Sequence, residues 1–115
     1  MIPEGVSIYL GLEPVNMHLS FDRLSGLVEQ VMHRDPRGPA LYCFCNRRRT
    51  HLKAIFADGT GLCIFYKRLD RGRFQLPEPF GDEAVIALSD EPLQELLDGL
   101  PVTRAGVHRS SSGLV

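Results

Sequence analysis

A chain of 115 residues with 43% hydrophobic content can bury a core without metal or disulfide staples, and one domain is the expected organisation. No apolar run approaches the roughly 20 residues of a membrane helix and no secretory signal is visible, so a cytoplasmic protein is expected. The net charge of −1 conceals segregation: Arg47 to Arg73 holds eight Lys and Arg against Asp58 and Asp70, a balance of +6, while the remainder carries five against twelve acids, a balance of −7.

In chain order, Val6 to Leu12 is β-branched and aromatic at its start and is punctuated by Gly11 and Pro14, which predicts a short first strand. Ser20 then offers an N-cap and Asp22 a first-turn acid. Phe21, Leu24, Val28 and Val31, joined by Leu27 and Met32, recur at helical spacing. That amphipathic helix is expected to end by Asp35-Pro36, because a residue before proline is pushed out of the α region.

Leu41 to Cys45 is apolar on both faces, the pattern of a central strand. Asn46 to His51 reads as a polar connection. Leu52 to Ala57 and Leu62 to Lys67 flank Asp58-Gly59, a dipeptide suited to the positive φ of hairpin turns. The loop is either Asp58-Gly59 or the whole of Asp58 to Gly61, and both choices give the same two faces. One face is wholly apolar, with Leu52, Ala54, Phe56, Cys63 and Phe65, and is expected to receive the helix. The other holds Lys53, Ile55, Ala57, Leu62, Ile64 and Tyr66, with partial cover expected.

After Phe74 a stretch rich in Pro and acid reads as loop, and Ala84 to Leu88 as a short edge strand. Ser89-Asp90-Glu91-Pro92 is a helix start, followed by an apolar stripe of Leu93, Leu96, Leu97 and Leu100 that ends at Gly99 and Pro101. The stripe suits core packing or a protein interface. Residues 103–115 have little apolar content and are expected to form a mobile tail beyond a domain at 1–102. The resulting expectation is an α+β domain, an antiparallel β-sheet around a central hairpin packed by two helices.

Asp58-Gly59-Thr60-Gly61-Leu62-Cys63-Ile64-Phe65, with Lys67-Arg68-Leu69 and Arg71-Gly72-Arg73-Phe74 following, closely resembles the central signature of the TnpB accessory proteins of the IS-sixty-six insertion-sequence family. Further similarities are the Met1-Ile2-Pro3 opening, Val15-Asn16-Met17 before Phe21-Asp22, the Arg-rich turn before Lys53 and the final leucine helix. The RNA-guided nuclease that shares the TnpB name is a different, much longer protein. The resemblance implies an accessory role in DNA transposition beside a separate, larger transposase, and the scattered acids of the chain make a non-enzymatic role the expectation. Two departures from the family pattern are His18, where a basic residue usually follows the Met, and Phe56-Ala57, where Trp is common.

The candidate site is cationic: Arg47, Arg48, Arg49, Lys53, Lys67, Arg68, Arg71 and Arg73. The hairpin is antiparallel, so its entering and leaving segments share one end, and the two clusters should converge into a patch for DNA phosphates. Tyr66 or Tyr42 would be available to stack on an unpaired base. The bland reading is a solvated surface balanced by the acidic remainder. No helix-turn-helix or zinc finger is evident, so backbone contact is expected over base reading.

Cys43, Cys45, Cys63 and His51 are four potential zinc ligands, but Cys-x-Cys within a strand lacks the usual knuckle spacing, and reduced, buried thiols without metal or other cofactor are expected. His18, His33 and His108 suit surface or capping roles. Asp22, Asp58 and Asp70 would be the acids of a small metal-dependent nuclease, the least supported reading, since Asp58 has a turn role and Asp22 a helix-dipole role. The main alternative to a DNA-binding accessory protein is a protein-protein adaptor of the transposition complex.

Overall fold

In the computed structural model, which describes residues 6–110, the chain forms a single α+β domain built on one six-stranded sheet. Its elements are β1 (Ser7–Gly11), α1 (Phe21–Gln30), β2 (Ala40–Cys45), β3 (His51–Ala57), β4 (Leu62–Arg68), β5 (Val85–Leu88), α2 (Asp90–Leu97), a 3₁₀ turn (Arg104–Gly106) and β6 (Val107–Arg109). The strand order is β4-β3-β2-β1-β5-β6. Met1-Ile2-Pro3 and the last five residues of the expected tail lie outside the described residues.

The sheet is mixed, which corrects the expectation of an antiparallel one. β1 and β2 pair in parallel, with Ser7 opposite Ala40 and Leu10 opposite Cys43. The physical reason lies in the helix between them: parallel neighbours need a crossover connection, and α1 supplies it. β2 is buried along its whole length, as its two apolar faces predict. The β3–β4 hairpin uses the four-residue loop, with Ala57 opposite Leu62, and sits at one side of the sheet with β4 outermost.

Each face of the sheet takes one helix. α1 lies on the face of Ile55, Ile64 and Tyr66, where Leu24 and Val28 are fully buried against Tyr42 and Phe44. Burial of each such side chain contributes roughly 1.5–3 kcal/mol. α2 covers the wholly apolar face, where Leu93, Leu96 and Leu97 pack with Leu52, Ala54 and Phe56. The face expected to receive the first helix therefore receives the second.

α1 stops before the proline signal. Arg34 N–H bonds back to Val28 O at 3.2 Å and His33 takes φ 55, the reversal that closes many helix ends. Leu100, counted in the leucine stripe, lies past the end of α2 and is 52% exposed.

Residues 104–109, within the segment expected to be a tail, form regular structure. Arg104–Gly106 make a 3₁₀ turn, and β6 pairs with β5, Val107 opposite Leu88 and Arg109 opposite Ile86. β5 is consequently an interior strand. Val107 is the one apolar anchor in this segment, and burial of that single side chain beside α2 is a signal too small for periodicity to register.

Candidate nucleic-acid interface

The β2–β3 connection presents three successive arginines because Asn46 organises it. Its Oδ1 accepts the N–H groups of Thr50 at 2.9 Å and His51 at 3.1 Å, and its Nδ2 donates to Thr50 Oγ1 at 3.1 Å. The backbone closes with Arg49 N–H to Asn46 O at 3.0 Å and Asn46 N–H to His51 O at 3.1 Å. Arg49 has φ 59, a conformation costing a non-glycine residue on the order of 1 kcal/mol. Glycine or asparagine is the usual occupant of such a position; here it carries a cation.

The second cluster is laid beside the first by the sheet. His51 pairs with Arg68, Leu69 N–H bonds Thr50 O at 3.0 Å, and Phe74 N–H bonds Arg49 O at 2.7 Å. Phe74 is buried and pins the far end of the 69–74 loop, whose turn uses Gly72 at φ 73. Arg47, Arg48, Arg49, Arg68, Arg71 and Arg73 are all exposed along this edge. Among the described residues, none of these six guanidinium groups makes a hydrogen bond or ion pair.

Lys53 and Lys67 are placed elsewhere. Lys53 is buried under α1, its Nζ donating to Leu19 O at 2.8 Å and lying 4.8 Å from the Tyr66 ring centre. Lys67 points to the opposite face, where its Nζ donates to Leu97 O at 2.7 Å and approaches Asp98 at 3.9 Å. A cation at the C-terminal end of a helix satisfies a free carbonyl and the helix dipole. Strand alternation alone sends Lys53 and Lys67 to different faces. What sequence reasoning missed was the carbonyl waiting for each, and the role of Asn46, whose one signal was an amide ahead of a polar turn.

Replacing Asn46 with alanine strips two backbone donors of their acceptor and should cost about 1–3 kcal/mol of stability, read as a lower denaturation midpoint with unchanged slope. It should also loosen the arginine turn.

Other cations and acids are committed to the fold. Arg109 pairs with Glu83 at 3.1 Å, and Arg104 donates to Glu78 O and stacks over Phe80. Asp58 accepts from Thr60 and Gly61 in the hairpin loop. The Thr60 N–H is the largest of several hydrogen bonds, including one from the Cys63 thiol, that hold its carboxyl below the usual range. The hairpin therefore gains from Asp58 above the ordinary carboxylate range, and loses that support as pH falls through the depressed value.

Cys43 and Cys45 pack into the α2-side core as free thiols. Burial pushes Cys45 up to about 12 and Cys43 higher still. Cys63 is half-buried; its thiol is also raised, by desolvation and by its bond to Asp58. A thiol reagent at about pH 8 should therefore modify at most Cys63 in the native protein and all three in denaturant. Among the described residues no three His, Cys, Asp or Glu side chains gather in a group able to hold a metal ion, and no helix is long and apolar enough to cross a membrane.

Comparison with known proteins places this geometry in a family. Residues 6–106 match the family model described as IS66 Orf2 like protein. The chain is 37% identical over 102 residues to the uncharacterized protein y4hO of Sinorhizobium fredii, covering 87% of each chain. It is 31% identical over 100 residues to y4jC of the same organism, covering 87% of this chain and 84% of the relative. No solved structure matches.

Proposed function

The chain belongs to the IS66 Orf2-like family, an insertion-sequence-associated family, and from that premise we propose a non-enzymatic accessory role in transposition. In this role the arginine edge grips the DNA backbone near the element ends while another surface contacts the transposase. The carrying observation is the edge itself: six exposed arginines from two chain segments, side by side and with no side-chain hydrogen bond or ion pair among the described residues. Planar guanidinium forks suit phosphate oxygens, and each neutralised phosphate adds a salt-dependent increment of affinity. The strained φ of Arg49 supports the reading, because strain kept at an exposed position points to use.

A second reading, an adaptor that joins element proteins without touching DNA, draws on Leu100 and Phe21, which are 52% and 44% exposed. Binding of the purified protein to a duplex carrying the element's terminal inverted repeat, against a scrambled duplex over a salt series, separates the two. Affinity that falls linearly on a log–log salt plot supports the DNA reading, and preference for the repeat would add base or shape readout. Absence of binding at low salt, with transposase capture retained, would establish the adaptor.

A further inference from the structure

We propose that the arginine edge prefers an unpaired strand over a duplex, with Tyr66 as the platform for one base. The inference rests on the DNA-binding reading above and names the form of nucleic acid the same site takes. Of the three tyrosines, Tyr9 and Tyr42 are buried, 8% and 2% exposed, and stacked on one another at 5.9 Å with Arg34 covering Tyr9. Tyr66 is 52% exposed, and no described residue hydrogen-bonds its hydroxyl. Tyr42, the other stacking candidate in the sequence, donates its hydroxyl to Asp35 O at 2.8 Å and is unavailable.

The surroundings of Tyr66 fix the ring and join it to the edge. It lies on the outermost strand, opposite Lys53, whose ammonium is held by Leu19 O and sits against one ring face. The His51 ring lies 6.0 Å away at a 39° tilt, between Tyr66 and the arginine turn. Arg68, two residues on and on the same side of the strand, stands about 7 Å along the chain, within reach of a phosphate flanking a base on Tyr66. Lys53, removed from the phosphate-binding set by burial, thus orients the aromatic surface beside that set.

A base inside a duplex has both faces covered by its neighbours, whereas an unpaired base offers one. Stacking therefore discriminates by strand state and tolerates sequence. Backbone charge acts the other way, since duplex DNA has the denser phosphate array. A preference for single strand thus requires a contact other than charge, and Tyr66 is the exposed aromatic on this edge.

The test is fluorescence anisotropy at one low salt concentration with a labelled mixed-sequence 12-nucleotide strand and the duplex of the same sequence, using the native chain, Tyr66→Ser and Tyr66→Phe. Circular dichroism melts establish that each variant is folded. The native chain should bind the single strand roughly tenfold tighter. Tyr66→Ser should lose that margin while keeping its duplex affinity, and Tyr66→Phe should retain the margin. Duplex binding equal to or tighter than single-strand binding overturns the strand preference and leaves the DNA reading standing, as does a margin that survives in Tyr66→Ser for the role of Tyr66. Binding to neither form overturns both.

Discussion

Changing Arg47, Arg48 and Arg49 together to alanine should lower affinity for duplex DNA on the order of a hundredfold at low salt and flatten the log–log salt slope by up to about three. Thermal stability should stay within about 0.5 kcal/mol, because surface residues without partners seldom contribute more. The three side chains are exposed and make no hydrogen bond or ion pair among the described residues, while the turn that presents them is held by Asn46, which the change leaves intact. Lys67→Ala is the matching control. Its Nζ closes the end of α2, so its loss should cost roughly 0.3–1 kcal/mol of stability and leave DNA affinity unaltered. Anisotropy across a salt series, with a denaturation curve for each variant, reads both effects.

Gly106→Ala should destabilise the fold by about 1–3 kcal/mol, and more if the backbone does not relax. A Cβ at this position would stand 2.3 Å from Pro92 Cγ and 2.8 Å from Pro92 Cδ. A proline ring on the first turn of a helix has no rotamer to escape into. Gly106 O also accepts the Ser89 N–H at 2.9 Å, so a backbone shift there would disturb the start of α2 as well. Ala105→Ser, one residue earlier and exposed, should change stability by no more than a few tenths of a kcal/mol. The pair decides whether residues 104–109 are part of the folded unit: a mobile tail would tolerate Gly106→Ala as easily as the control.

Sequence patterns were most informative where burial was regular. Leu41 to Cys45 announced a central strand because both faces are apolar, and alternation fixed the hairpin faces whichever loop length was used. The two arginine clusters converge for the reason the sequence offered, antiparallel strands sharing an end, and Leu69 and Phe74 lock that end by bonds to Thr50 and Arg49.

Long-range pairing was the part that local patterns did not carry. Nothing in residues 7–11 or 40–45 distinguishes a parallel from an antiparallel partner, since a strand buried on both faces reads alike in either. β6 is three residues long and anchored by Val107, so its polar neighbours outweighed it. Lys53 and Lys67 read as site cations because charge is visible in a sequence, while the carbonyl of Leu19 or Leu97 that receives each is fixed only by tertiary packing.

The most direct test of the arginine edge as the DNA contact is an NMR titration of the labelled protein with a short duplex at low salt, following backbone amides. Shifts concentrated in residues 46–51 and 68–74, and reversed by added salt, are the predicted result. No shifts at low salt, or shifts confined to surfaces such as the end of α2 around Leu100, would contradict it.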